Sequence, residues 1–377
     1  MIKLSDFDDI RPFSQGEMKD AFESMLADRQ FGKILQGFIP LPKAIRNGLL
    51  KLLFVGIKTP LDFQKRFMKP VVYYVLHKTT TGWTSVFPAS LDRKKNYTFM
   101  SNHRDIVLDS AFLCVFLLKE GFSTTVEIAI GDNLLIYPWI KTLVRMNKAF
   151  TVNRGLTPKE MLKSSIHMSQ YMHFAINEKC ENIWIAQREG RAKDSDDRTQ
   201  ESVLKMLNMG GPTSGKTTAE IIENLRNMNI VPLSISYEYD PCDYLKAKEF
   251  QCKRDIAGWK KSKQDDLDNM KTGILGKKGH VHYQASSCIN DWLDTLDPTA
   301  IDRADIFRIV AEHIDSEIHK NYKIYDINRD ALAGNTNEYI ESRIKMVNVE
   351  NPDVPFLREK INTMYANPLR NHEAAAR

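Results

Sequence analysis

Short apolar segments with strand character alternate with longer segments of helical apolar spacing through the middle of the chain. The strand-like segments are 97–102, 124–130, 149–153, 183–186, 230–237 and 280–285. Between them, 106–118 and 218–228 place apolar residues at helical intervals. Alternation of this kind is typical of proteins in which helices cover a sheet. The sequence therefore predicts an α/β fold, with a mixed, mostly parallel sheet flanked by helices and with helical N- and C-terminal segments.

The composition narrows the class of protein further. Of the 377 residues, 42% are hydrophobic and 27% are charged, which excludes wholesale disorder. The net charge of +5 is small for this length, and no segment resembles a nucleic-acid module, so no nucleic-acid partner is predicted. The five cysteines form no CxxC pair, which argues against a disulfide framework or a zinc ribbon and favours a reducing compartment. Acidic residues near the N-terminus argue against a secretory signal peptide, and no apolar run predicts a membrane-spanning helix.

Charge and hydrophobicity divide the chain into three predicted regions: a helical N-terminal segment (1–80), an α/β domain (81–295) and a helical C-terminal region (296–377). The first 30 residues are acidic and predict a short, solvated helical lead-in. Within 41–78, eight basic residues and one acid are interleaved with leucine, valine and aromatic residues. Such a stretch is typical of helices that lie on an anionic membrane surface. The alternative is a buried helix whose lysine ammonium groups reach solvent.

The segment that most clearly suggests catalytic chemistry is 102–110, Asn-His-Arg-Asp-Ile-Val-Leu-Asp-Ser. His103 follows a predicted strand, and Asp109 lies in the first turns of an apolar helix. A carboxylate can orient an imidazole so that it acts as a general base. The alternative is a capping arrangement, in which Asp105 serves the helix N-terminus. Cationic residues also follow two other predicted strands, at Arg154 and at 188–193, and such loops suit a phosphate-bearing substrate.

Four ordered blocks make the sequence resemble the glycerolipid acyltransferase superfamily, which includes the glycerol-3-phosphate and 1-acylglycerol-3-phosphate acyltransferases. The family blocks are NH-x4-D, a segment that ends in Arg, EG-x-R, and an apolar strand that contains Pro. They match Asn102–Asp109, Phe150–Arg154, Glu189–Arg191 and Ile230–Tyr237 in order and spacing. Tyr237-Glu238 and the segment 131–134 are similar to the glycerol-3-phosphate branch.

Two blocks depart from the family pattern. Five residues separate His103 from Asp109 where the family has four, so Asp105 is a rival partner for the imidazole. Arg191 stands two residues after Glu189 where the family usually has three. Arg188 or Lys193 is therefore an alternative source of the expected cation.

The resemblance implies an O-acyltransferase of phospholipid synthesis in residues 81–295. It would transfer a fatty acyl group directly from acyl-CoA or acyl-carrier protein to a hydroxyl of glycerol 3-phosphate or 1-acylglycerol 3-phosphate. The implied catalytic residues are His103 and Asp109. The implied substrate-binding residues are Arg154, Arg188, Glu189, Gly190, Arg191 and Lys193. No metal or other cofactor is expected, and the enzyme is predicted to be cytoplasmic, peripheral on the inner face of an anionic membrane.

Three alternatives stay open from the sequence. The acceptor could be another lysolipid or an acylated amino-acid lipid, and a catalytically inactive lipid-binding relative would show the same blocks. Residues 210–217 match the P-loop pattern G-x4-G-K-T, the signature of a nucleotide-binding protein. A P-loop needs a strand directly before it, whereas 202–209 has helical apolar spacing, so a flexible surface loop is the expectation there.

Overall fold

The computed structural model describes residues 2–335 and 337–377, and within them seven strands form one sheet. The strands are β1 (Thr80–Val86), β2 (Thr98–Ser101), β3 (Val126–Gly131), β4 (Ala149–Val152), β5 (Asn182–Ala186), β6 (Ile230–Tyr237) and β7 (Gly279–Ala285). Their order across the sheet is β1-β7-β6-β2-β5-β3-β4. Only the β6–β7 pair is antiparallel among these strands. The predicted α/β fold with a mixed, mostly parallel sheet is confirmed.

Helices cover the sheet and form both ends of the chain. In order they are α1 (Met18–Ala27), α2 (Arg29–Phe38), α3 (Lys43–Phe54), α4 (Pro60–Phe63), α5 (Lys69–Thr79), α6 (Leu108–Lys119), α7 (Pro138–Met146), α8 (Pro158–Asn177), α9 (Glu201–Met209), α10 (Thr218–Arg226), α11 (Asp243–Asp255), α12 (Lys263–Leu275), α13 (Asn290–Leu293), α14 (Ile306–Lys320), α15 (Asp326–Ala333), α16 (Glu338–Ile344) and α17 (Val354–Ala375). A π-helical turn, Gln64–Met68, joins α4 to α5. Short 3-10 helices occupy Leu4–Phe7, Gln15–Glu17 and Asp132–Leu134.

The apolar residues of the strands divide between two cores because successive side chains point to opposite faces of a sheet. On β2, Phe99 belongs to the core on one face and Met100 to the core on the other. Helix α6 fills the first face, and its residues 108–117 are all buried, so the helix is enclosed on all sides over this stretch. Helices α8, α9, α10 and α14 fill the second face. The result is a helix–sheet–helix sandwich.

Strand β1 is an element that the sequence analysis did not predict. Its sequence, TTGWTSV, contains Gly82 and lacks the continuous apolar run of a central strand, and none of its residues is fully buried. It lies at the edge of the sheet and pairs in parallel with β7. Edge strands carry weaker sequence signals because fewer of their side chains are buried.

The N-terminal end of the chain differs from the predicted solvated segment, whereas the C-terminal end is helical as predicted. Phe7, Met18 and Phe22 are buried, so the lead-in is helical but packed rather than solvated. At the C-terminal end, α17 continues to Ala375. Helix α5 ends at Thr79 and α14 begins at Ile306, close to the proposed limits of the three regions; their independence as domains stays a prediction. No helix in 2–335 or 337–377 combines the length and apolarity needed to cross a bilayer.

Parallel pairing brings the carboxyl ends of five strands together along one side of the sheet, the carboxyl edge. Strands β6, β2, β5, β3 and β4 all run in the same direction, so the loops after them meet at this edge. Strand β7 runs the opposite way, and its first residues reach the same edge. The predicted site residues follow β2, β4 and β5, and they therefore belong to one side of the molecule.

Candidate active site

His103 and Asp109 form the hydrogen-bonded pair at the centre of the candidate site. Nδ1 of His103 lies 2.8 Å from Oδ2 of Asp109. A carboxylate can only accept, so this contact requires the proton on Nδ1 and leaves the lone pair on Nε2. Trp184 packs edge-on against the imidazole with ring centroids 5.4 Å apart, and its indole N–H is held by the Ser101 hydroxyl at 2.9 Å. The imidazole is therefore fixed in orientation, and the His103 side chain is 14% exposed to solvent.

The Asp109 carboxylate is buried, and four groups donate to it. Besides the imidazole, Oδ2 accepts from the backbone N–H of Arg104 at 2.6 Å and of Asp105 at 3.0 Å. Oδ1 accepts from the hydroxyl of Tyr237 at 3.1 Å. Charge-assisted bonds of this kind offset the cost of burying a carboxylate. Asp109 can therefore orient His103 without moving.

Asp105, the rival partner, has a different task. Its Oδ1 accepts from the backbone N–H groups of Val107 at 2.9 Å and Leu108 at 2.8 Å, which caps the start of α6. Burial raises the pKa of Asp105, and the neighbouring Asp109 raises it further. Helix α12 approaches so closely that a Cβ at Gly273 would collide with this carboxylate. The extra residue of the first block is accommodated because the turn from His103 to Leu108 wraps around both carboxylates.

Arg154 and Glu189 come together across the edge of the sheet. Arg154 follows β4, Glu189 follows β5, and their side chains form an ion pair. The backbone N–H of Arg154 also donates to Asp132 at 3.2 Å, after β3. Gly190 has a φ of +67°, a conformation that favours glycine, so the loop can turn directly after Glu189. The structure thus joins the second and third blocks through the predicted residues.

The remaining predicted cations are in three different settings. Arg191 donates to Asn269 of α12 at 3.0 Å, and its Nη1 is buried with no hydrogen-bond partner among the described residues. Lys193 forms an ion pair with the buried Glu249, so its charge is already balanced. Arg188 is half-buried, and no described residue forms an ion pair with it. Of these three, Arg191 and Arg188 have donor groups that no described residue engages, whereas Lys193 is already paired.

A buried charged group at the same edge was not predicted. Lys278, directly before β7, is fully buried, and its ammonium donates to the backbone oxygen of Gly276 at 2.9 Å. Burial lowers the pKa of Lys278 to about 8, although Asp105 acts in the opposite direction. Asp240 lies at the same edge of the sheet, with its Oδ2 2.5 Å from the ammonium nitrogen of Lys246. Burial acts to raise the pKa of Asp240, but Lys246 and Arg191 outweigh it, so that pKa is lowered.

Sequence reasoning missed the contributions of Arg104, Tyr237 and Lys278 to this site. Tyr237 carried a signal, since it ends the fourth block, but the contact with Asp109 joins positions 128 residues apart. Lys278 reaches the site only because β7 runs antiparallel to β6. Neither contact can be read from local spacing.

The P-loop pattern at 210–217 does not form a phosphate site. It is preceded by helix α9 instead of a strand. The N–H groups of Lys216 and Thr217 donate to the carboxylate of Glu220, at 2.9 and 3.1 Å, and the N–H of Thr213 donates to Asn224 at 2.9 Å. Side chains of the chain itself thus use the amides that a nucleotide phosphate would need. The loop is held in place by them, not free as expected.

Three further features lie outside the His103 pair. A cavity of about 570 Å³, lined by Tyr244, Leu275, Tyr339 and neighbouring residues, contains none of the predicted site residues. Among the described residues, no cluster of three or more histidine, cysteine, aspartate or glutamate side chains is arranged to hold a metal ion. Burial raises the pKa of Cys114 to about 11 and that of Cys242 to about 12, so these thiols are not activated as nucleophiles.

The fold and the site define an α/β protein with a His–Asp pair at the carboxyl edge of its parallel strands. No family model and no curated protein matches the chain. Among solved structures, the chain is similar to the 1-acyl-sn-glycerophosphate (LPA) acyltransferase PlsC from Thermotoga maritima. The TM-score is 0.36 and the identity 11%, over 80% of this chain and 93% of that one. A likeness this distant carries no argument about activity.

Proposed function

We propose that the protein is an O-acyltransferase of phospholipid synthesis. It moves a fatty acyl group from a thioester, acyl-CoA or acyl-carrier protein, to a hydroxyl of glycerol 3-phosphate or 1-acylglycerol 3-phosphate. The observation that carries the proposal is the hydrogen bond between Nδ1 of His103 and Asp109, at a sheet edge that also holds Arg154 and Arg191. The four sequence blocks supply the acyltransferase class.

The proposed chemistry is a direct transfer with His103 as general base. Nε2 takes the proton of the acceptor hydroxyl as the hydroxyl oxygen attacks the thioester carbonyl carbon. The tetrahedral intermediate then collapses, the carbon–sulfur bond breaks, and the imidazolium returns the proton to the leaving thiolate. Asp109 stabilises the imidazolium in between. The proposed mechanism has no acyl-enzyme intermediate, so it needs no serine, threonine or cysteine nucleophile beside His103.

Arginines at the edge of the sheet would hold the phosphate of the acceptor. Arg191 has a buried Nη1 without a partner among the described residues, and a phosphate oxygen would satisfy it. Arg154 is 35% exposed and paired with Glu189, which is 71% exposed. An exposed pair of this kind is weak, so a phosphate can compete for the guanidinium. Glu189 then remains to meet a glycerol hydroxyl.

The membrane contact is also a proposal, and helix α3 supplies its surface. Arg46, Leu50 and Phe54 face the protein, whereas Ile45, Leu49, Leu52 and Leu53 are exposed along a neighbouring stripe. Lys51 and Lys58 are exposed beside that stripe. An exposed apolar stripe with cationic neighbours suits an anionic lipid surface, and lipid acceptors would be reached there. The proposed location is the inner face of the membrane.

Thiol release from acyl-CoA, with purified protein in detergent, tests the proposed function. Glycerol 3-phosphate and lysophosphatidate are supplied separately, and each is assayed with wild type and with His103→Ala. Acceptor-dependent release is expected in wild type and should fall at least 100-fold in the variant, because a positioned base contributes about 10²–10⁴ in rate. The acceptor that supports release identifies the substrate.

The matched control is His167→Ala. His167 also contacts an aspartate, with Nε2 3.0 Å from Asp9, but on the exposed surface at α8. The activity of the His167→Ala variant should equal that of wild type. Acyl-carrier protein donors and other lysolipids are tested in parallel. Absence of acceptor-dependent transfer with every donor and acceptor would contradict the proposal and favour an inactive lipid-binding relative.

A further inference from the structure

Arg104 makes contacts in two directions from the centre of the candidate site. Its backbone N–H donates to the oxygen of Asp109 that also accepts from His103. Its side chain reaches the loop after β5, where Nη1 donates to the hydroxyl of Ser195 at 2.6 Å and Nη2 forms an ion pair with Asp197. One residue thus joins the first block to the loop that continues from the third block.

The Arg104–Asp197 pair is more deeply buried than stability alone would favour. Arg104 is 9% exposed and Asp197 is fully buried. Arg104 Nε and Asp197 Oδ1 have no hydrogen-bond partner among the described residues. Removing two charges from water costs more than a single ion pair usually returns, so a buried pair is weak evidence for a stabilising role. The pair can instead fix one geometry. The guanidinium of Arg104 binds the Ser195 hydroxyl and the Asp197 carboxylate at the same time, which sets both the position and the direction of the side chain.

The loop that receives Arg104 is also held from its outer side. The backbone N–H of Thr199 donates to Asp315 of α14 at 2.7 Å, and His319 of the same helix is 3.0 Å from the backbone oxygen of Asp197. Asn371 of α17 donates to Asp196 at 3.0 Å. Residues 194–199 have no regular secondary structure, so these side-chain bonds determine where the loop lies.

We infer that Arg104 is a positioning residue, and that its bonds to Ser195 and Asp197 hold the His103–Asp109 pair at a fixed position relative to the loop that carries Arg191. The inference rests on the proposed function. The general base and the phosphate-binding arginine stand on different strand ends, and acyl transfer requires them at a fixed separation. Arg104 supplies the connection between the two loops.

Three variants test this role. Arg104→Lys keeps the charge but lacks the planar guanidinium that binds two acceptors at once. Asp197→Asn removes the ion pair, and Ser195→Gly removes one acceptor. Glycine is chosen because Ser195 has a φ of +62°, which glycine adopts freely, so this variant is the least disturbing to the fold. Each is expected to lower kcat at least tenfold and to raise KM for the phosphate acceptor, with KM for acyl-CoA changed less than twofold.

A second readout does not depend on activity. The ¹⁵N and ¹H resonances of the His103 imidazole, assigned with His103→Ala, report whether the proton is held on Nδ1 against Asp109. Wild type should show one Nδ1–H tautomer, and the variants a mixture of tautomers. If wild type has no acyltransferase activity, the proposed function fails, whereas the imidazole signature still decides whether Arg104 fixes the pair.

Glu181→Gln is the matched control. It breaks the ion pair between Glu181 and the buried Lys148, at the amino ends of β5 and β4 and so at the opposite edge of the sheet. It should lower Tm without changing kcat or the imidazole resonances. The inference is overturned if the three variants behave as this control does.

Discussion

At the scale of single residues, the two aspartates after His103 have separate roles that a substitution can distinguish. Asp109→Asn keeps the shape of the side chain but removes the charge that orients the imidazole, so kcat should fall by about 10²–10⁴. Asp105→Asn keeps a good helix cap, because asparagine and aspartate serve that position about equally. Its kcat should stay within threefold of wild type in the thiol-release assay.

These two variants are controls for each other, because each replaces one buried carboxylate and the two positions are only four residues apart. Equal losses of kcat with equal losses of Tm would argue that the charge density of the turn matters and the Asp109–imidazole bond does not. The sequence alone left this choice open, because both aspartates follow His103 at spacings that a turn can bridge. The choice depends on where the first turn of α6 starts, and that is set by packing.

At the scale of secondary-structure elements, α3 offers the membrane prediction. Replacing Leu49, Leu52 and Leu53 with serine should lower partition to anionic vesicles at least tenfold, because these side chains are 47%, 69% and 62% exposed and contribute little to the fold. Replacing Lys51, Lys58, Lys65 and Arg66 with glutamine should weaken the same binding by ~1 kcal/mol per residue. Vesicle co-sedimentation measures both.

The control carries serine at Ile256 and Leu275, which are exposed to 52% and 54% but lie outside the N-terminal helices. Its partition should match wild type. If the α3 variants also bind as wild type does, the stripe is covered by something other than lipid. The basic, apolar character of this segment was readable from the sequence, but which of its apolar residues remain exposed was not, because Leu50 and Phe54 of the same helix are buried.

At the scale of the whole molecule, Lys278 links stability to pH. Burial lowers its pKa to about 8 in the folded chain, against about 10.5 for an unperturbed lysine. Between these values the unfolded chain binds more protons, so folding becomes more favourable as the pH rises. The free energy of unfolding of wild type, relative to Lys278→Met, should therefore increase by about 2 kcal/mol from pH 7 to 9.5.

Urea unfolding at pH 7 and pH 9.5 measures this difference. Lys277→Met is the control, since it removes an exposed lysine one position away and should show the same pH dependence as wild type. If the unfolding free energies of wild type and Lys278→Met changed in parallel with pH, the Lys278 ammonium would not be destabilised by burial. The range is limited to pH 9.5 because tyrosines begin to titrate above it.

The sequence by itself determined the α/β fold, the positions along the chain of six of the seven described strands, and the presence of a histidine with cations at strand ends. Apolar periodicity and local spacing carry this information because they are properties of contiguous residues. It also predicted that 202–209 is helical and unsuited to a P-loop, and this segment lies in α9. Tertiary structure decided which carboxylate meets His103 and that Lys193 is paired with Glu249. It also brought Arg104 to Asp197, 93 positions away, and Lys278 to the site edge. Those contacts join residues far apart in the chain, and only the pairing of the strands and the burial of their loops fix such distances.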